Sequence, residues 1–239
     1  EAEQEESICV AGSIAAHPPN LGGSYTEGWP SPEKLLAVME EQASLLKDSG
    51  SDVIFAELIF DLEHGLPVIR AALNTGMPVF VSFVASFMTT AEWNAQKWSS
   101  DADVADAPVT LALGRDLVTD AVQAVMALPN ADKCLAGFCV HHTEVQSSLR
   151  VLQAVRKHWS GPLGCYPDHG VGKQEEGKAL EWQFHELTKE TLVKAAESWT
   201  REANVQLLGT CCGLGPDHIR MLAEYCRAHN GSRAQQASK

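Results

Sequence analysis

Basic residues are scarce in this chain: 18 Lys and Arg stand against 31 Asp and Glu, for a formal net charge of −13. Phosphate contacts need clustered cations, so the charge argues against a nucleic-acid or anionic-membrane partner. No apolar run approaches the ~20 residues that a membrane span requires. The opening "EAEQEE" is acidic where a secretory leader would be basic. A soluble, cytoplasmic protein is therefore expected. The Pro- and Gly-rich stretch "HPPNLGGSY" (His17 to Tyr25) lacks both the Gly-x-Gly-x-x-Gly order and the lysine of a P-loop, so it reads as an active-site loop and not as a phosphate cradle. There is no low-complexity segment and no repeat beyond a strand-helix alternation. The seven cysteines, an odd number in 239 residues, do not form the pattern of a secreted disulfide framework. Free thiols or a metal site fit better.

The chain is 45% hydrophobic, enough to bury a sizeable core, and nothing divides it, so residues 1–230 read as one domain. The final stretch 231–239, "GSRAQQASK", has no apolar periodicity and reads as a disordered tail. Short runs rich in Val, Ile and Leu alternate with stretches of helical spacing, the pattern of βα units that build a parallel sheet. Six units are expected. Their strands are Ile8 to Ile14, Asp52 to Glu57, Pro78 to Val84, Cys134 to Val140, Pro162 to Pro167 and Val205 to Cys211. The helices that follow them are Pro32 to Leu46, Gly65 to Asn74, Asp116 to Ala127, Glu144 to Trp159, Lys189 to Arg201 and Pro216 to His229. Three long connections, Ala15 to Ser31, Ala85 to Arg115 and Asp168 to Thr188, all follow strands. They fall on the face that carries the chemistry in parallel βα folds.

The stretch "VQLLGTCCGLGPDHI" (Val205 to Ile219) places two adjacent thiols at the end of an apolar run. Neighbouring side chains on a strand point to opposite faces, so Cys211 and Cys212 meet one ion only if the strand ends there and the backbone turns. Gly213 permits the turn, and Pro216 is a favoured first residue of a helix. A helix N-terminus nearby favours thiolates. Cys139 closes the strand "CLAGFCV" at the corresponding end and supplies a third soft ligand. Three protein ligands with an open fourth position is the pattern of a catalytic zinc. Cys9, Cys134, Cys165 and Cys226 read as small buried hydrophobes.

These segments resemble a known family. "GTCCGLGPDHI" is similar to the Gly-Gly-Cys-Cys-Gly signature of the zinc-dependent homocysteine S-methyltransferases, and "LAGFCV" to that family's Gly-x-Asn-Cys strand end. The resemblance continues through "VAGSI", "SDVIFAE", "GPLGCYPDHG" and "EWQF". It implies a (β/α)8 TIM barrel, zinc held by Cys139, Cys211 and Cys212, and a zinc-held homocysteine thiolate that attacks the methyl group of a sulfonium or betaine-type donor to give methionine. S-methylmethionine and S-adenosylmethionine are the favoured donors. A cobalamin- or folate-binding module does not fit in this length. The resemblance also assigns the ammonium group of homocysteine to Glu57. A carboxylate at a strand end is costly to bury unpaired, so an ammonium partner is reasonable, with a structural Lys or Arg pair as the competing account.

Three departures stand out. Thr210 replaces the second glycine, Phe138 replaces the asparagine, and the chain begins at what corresponds to the family's third strand, so a barrel lacking its first two βα units is expected. Tyr166 and Asp168 are further candidates for substrate contact, against simple turn formation at Pro167 and Asp168. His141 and His142 read as rim residues beyond the ligand Cys139, and Trp182 as a cap over the site or over the core edge. A non-catalytic zinc-binding relative and a metal-dependent barrel hydrolase are the alternatives, the latter disfavoured because the strand ends offer Cys and Glu rather than His and Asp.

Overall fold

The computed structural model describes residues 8–15, 28–87, 107–173, 181–184 and 187–237. Six parallel strands form one sheet: β1 (Ala11–Ala15), β2 (Val53–Ile59), β3 (Val79–Phe83), β6 (Leu135–Glu144), β7 (Leu163–Asp168) and β10 (Leu207–Leu208), in the order β1-β2-β3-β6-β7-β10. Every strand lies beside its predecessor in this sheet, which is the winding of a barrel-type βα fold and not of a doubly wound one. Among the described residues β1 and β10 are its two margins, and no pairing joins them. The helices are α1 (Pro32–Asp48), α2 (Leu62–Asn74), α3 (Val118–Met126), the short α4 (Ala131–Cys134), α5 (Ser148–Arg156), α6 (Lys189–Glu202) and α7 (Pro216–Ala237).

Alternation along the strands separates two faces. Ile14, Ile54, Ala56, Val81, Phe83, Phe138, Val140, Leu163 and Cys165 are buried in the main core, together with the inward stripes of the helices, such as Leu35, Met39 and Ala43 of α1. The other face carries Ser13, Phe55, Glu57, Phe80, Ser82, Cys139, His141 and Tyr166, a mixture of aromatic and polar side chains. Local chemistry fixes where helices start. Ser31 caps α1 by accepting the Lys34 N–H, with Pro32 at the first turn, and Asp61 caps α2 by accepting the His64 N–H at 2.8 Å.

Four details differ from the sequence reading. β6 runs four residues past Val140, so the helix expected from Glu144 begins only at Ser148. Two of the long connections carry small antiparallel pairs, β4 (Ala85–Ser86) with β5 (Thr110–Leu111), and β8 (Gly170–Lys173) with β9 (Glu181–Phe184). α7 continues through most of the stretch read as a tail, to Ala237. Finally, Phe138 is a core residue, stacked on Phe83 at 5.4 Å and edge-on to Trp159 at 5.2 Å, so its side chain is packed under the helices and not beside the site. The loop His17 to Tyr25 lies outside the described residues.

Candidate metal centre and the polar chain beside it

The end of β6 is irregular, and that irregularity places a ligand. His141 pairs with Tyr166 of β7, but the next matched pair is Glu144 with Asp168, so three steps on β6 answer two on β7. The extra residue forms a bulge in which His142 has a φ of 48°. Bulges re-aim side chains. On the other side of β7 the short β10 is prolonged by single hydrogen bonds: Gly209 N–H donates to Cys165 O, Cys211 N–H to Pro167 O, and His169 N–H to Cys212 O, at 2.9 to 3.0 Å. Gly213, with a φ of 76°, then turns the chain toward Pro216 and α7. Thr210 is not among the positive-φ residues, so the glycine it replaces is not needed there for its backbone freedom.

The result is a compact triad. The Sγ atoms of Cys211 and Cys212 are 3.8 Å apart, and His142 Nδ1 lies 3.8 Å from the first and 3.7 Å from the second. Tetrahedral zinc bonded to sulfur and imidazole nitrogen would separate these atoms by about 3.8 Å and about 3.6 Å. The donor set therefore fits such an ion without rearrangement, and it leaves a fourth position for a ligand. Burial, and then the neighbouring Cys212, push the Cys211 thiol up to about 12. Asp168 is buried behind the triad, with Oδ2 3.5 Å from His142 Nδ1. Burial, and then Glu144 beside it, raise its carboxyl to about 7.

Cys139 is not brought to this triad. Among the described residues the one group of three or more metal-type ligands within 4.8 Å of one another is His142, Cys211 and Cys212. Cys139 is three residues earlier on β6, fully buried, and its sulfur lies over Gly164, where a Cβ would come within 2.6 Å of it. Burial pushes its thiol well up, so it is held as a neutral core group. The physical reason is strand length. The polar "HHTE" after Val140 is still strand, so the rim is reached at His142.

Glu57 ends a chain of hydrogen bonds that crosses five strands. Its Oε2 accepts from Ser13 Oγ at 2.5 Å and its Oε1 from the Tyr166 hydroxyl at 2.6 Å. That hydroxyl is also 2.6 Å from Ser82 Oγ, which in turn is 2.9 Å from His141 Nδ1. His141 Nε2 accepts the Leu58 N–H at 3.3 Å. Among the described residues no Lys or Arg pairs with Glu57, so the competing account of a structural ion pair is not what the geometry supports. Burial, with His142 adding, lowers His141 to about 3. The two arrangements are neighbours: the His141 and His142 rings are 6.2 Å apart, and His141 stacks on Tyr166 at 5.0 Å.

The sequence reading singled out Cys211, Cys212, Glu57, Tyr166 and Asp168, all of which reach this rim. It passed over Ser13 and Ser82 and set His141 and His142 aside. The available signal was two histidines directly after a strand that ends opposite the cysteine corner.

The profile of the homocysteine S-methyltransferase family matches residues 1–226. No curated protein matches the sequence. Among solved structures, the metallated form of the homocysteine methyltransferase MmuM from Escherichia coli is similar in fold, with a TM-score of 0.59 at 19% identity over 92% of this chain and 62% of that one. The apo form of the same protein gives 0.58 at 17% identity over 92% and 64%. The chain thus spans less than two thirds of the length of those structures. With the family profile matched over nearly all of its length, the chain belongs to the homocysteine S-methyltransferase family.

Proposed function

We propose that the protein transfers a methyl group from a sulfonium or betaine-type donor, S-methylmethionine or S-adenosylmethionine for preference, to the sulfur of homocysteine, forming methionine. The observation that carries this reading is the metal-spaced triad His142, Cys211 and Cys212 on the same strand-end rim as a carboxylate, Glu57, whose partners among the described residues are neutral hydroxyls. A ligand with a thiol at one end and an ammonium at the other matches both. Zinc in the triad would act as a Lewis acid that keeps an incoming thiol deprotonated at neutral pH. The chain's own residues bind and orient. Glu57, fixed by Ser13 and Tyr166, takes the ammonium and so sets where the sulfur lies. In the transfer from a sulfonium donor the new sulfur–carbon bond forms as the donor's sulfonium–methyl bond breaks. The bonding pair stays on the donor sulfur, and the thiol proton leaves to solvent.

Zinc analysis and methyl transfer followed by mass spectrometry test this directly. The wild-type chain is expected to hold one zinc and to form methionine from homocysteine. His142→Ala, Cys211→Ser and Cys212→Ser should each lose most of the metal and the activity, while Cys139→Ser keeps the metal. Full zinc in His142→Ala together with loss in Cys139→Ser would return the third ligand to Cys139. Bound zinc with no methionine from any of the donors would remove the catalytic reading.

A further inference from the structure

We infer that His141 is a positioning residue that, through Ser82 and Tyr166, holds the hydrogen-bond chain ending at Glu57 and thereby aims this carboxylate at a ligand's ammonium group. The inference rests on the proposed function for the identity of the ligand, and on the side-chain geometry for everything else.

The direction follows link by link. A backbone N–H can only donate, so the Leu58 N–H makes His141 Nε2 an acceptor, and the ring is neutral with its hydrogen on Nδ1. Nδ1–H then donates to Ser82 Oγ. Tyr166 has a single hydrogen for two contacts, and a carboxylate oxygen only accepts, so the hydrogen shared between the two hydroxyls, 2.6 Å apart, comes from Ser82. A phenol has one hydrogen, and it is left for Glu57 Oε1. Ser13 donates to the other carboxylate oxygen, Oε2. Every hydrogen in the chain points toward Glu57.

The first link is anchored by an unusual backbone. Leu58 has a φ of 55°, a conformation that a residue with a Cβ adopts only where its surroundings hold it. It directly follows Glu57 at the point where the β2–β3 register shifts. His141 therefore pins the strand end that carries Glu57 and also, through Ser82 and Tyr166, pins the carboxylate itself. A simple packing role would have no bearing on whether the ligand carries an ammonium.

That difference defines the test. The zinc-loaded full chain is titrated calorimetrically with homocysteine and with 4-sulfanylbutanoate, which has the same thiol and carboxylate but no amine. Wild type should prefer homocysteine. His141→Phe, Ser82→Ala and Glu57→Gln should each weaken homocysteine by roughly tenfold, the scale of one hydrogen bond to a charged group, and leave the amine-free thiol within about twofold. Zinc content should not change. Ser82→Ala removes a middle link without altering the imidazole, so it decides the matter if His141→Phe fails to fold. An unchanged preference in Ser82→Ala overturns the inference, as does parallel weakening of both ligands, which would mark a packing role. Wild type that holds zinc and binds the two thiols equally overturns the ammonium reading of Glu57 and the inference with it. Wild type that holds zinc and binds neither thiol overturns the proposed function, and the inference falls with it.

Discussion

A single nitrogen, His142 Nδ1, faces both thiols of the triad and also Asp168 Oδ2 at 3.5 Å. One lone pair cannot serve a metal while its hydrogen serves a carboxylate, so metal and proton compete at this atom. The same competition holds at Cys211, whose thiol stays protonated far above neutral pH in the metal-free protein because it is raised to about 12. Binding of zinc must expel that proton. The sign is then fixed: apparent zinc affinity rises as pH rises and falls on acidification, by at least about tenfold per pH unit for one displaced proton. Chelator competition at pH 6.5, 7.5 and 8.5 measures the slope. A flat profile would mean that Cys211 does not ligate the metal, and Cys211→Ser should make the slope shallower, with Cys212 remaining as a thiol ligand.

At the scale of elements, Arg156 at the end of α5 ties together the loops on the face opposite the site. Its guanidinium donates to the carbonyls of Ala203, Trp159, Gly161 and Asn204, at 2.6 to 3.1 Å. Those loops set the register in which β7 and β10 enter the sheet, and hence the height of Cys211 opposite His142. Lysine cannot reproduce the planar fork. Arg156→Lys is expected to cost about 2–4 kcal/mol at roughly 1 kcal/mol per lost bond, read from the urea midpoint, with a secondary loss of zinc affinity. An unchanged midpoint would show that the four bonds are replaceable by water. This element scale is also where the sequence is most and least informative. Six strand-helix units are readable because the apolar period changes from two to 3.6 at each junction, and the Cys211–Cys212 corner is readable because Gly213 and Pro216 mark a turn into a helix. The end of β6 is not. "HHTE" has the polarity of a loop, and neither the bulge nor the left-handed His142 leaves a mark in composition, so the sequence points to Cys139 as the third ligand, whereas the geometry brings His142 beside the two cysteines.

For the whole molecule, the sheet has two margins among the described residues, β1 and β10, each paired on one side. Unpaired strand edges are templates for association with another chain. The β1 side also exposes apolar groups: Ile8 (88% exposed) and Val10 (54%) lead into the strand, and Val38 (58%) and Leu45 (60%) lie two turns apart on one face of α1. Acting against association is the net charge of −13, which makes copies of the chain repel at low ionic strength. The two effects respond oppositely to salt. Screening weakens the repulsion, with a Debye length of about 10 Å at 0.1 M and about 3 Å at 1 M, and leaves the apolar contact intact. Self-association of residues 1–239 is therefore expected to strengthen between 50 and 500 mM salt in sedimentation equilibrium, contrary to what an interface of ion pairs would do. Val38→Lys with Leu45→Glu should shift the equilibrium toward monomer at every salt concentration without loss of zinc, because neither residue approaches the rim. Monomer throughout that range at high protein concentration would show that these edges and side chains are protected in solution. Association that weakens with salt would instead assign the contact to charged groups elsewhere on the surface.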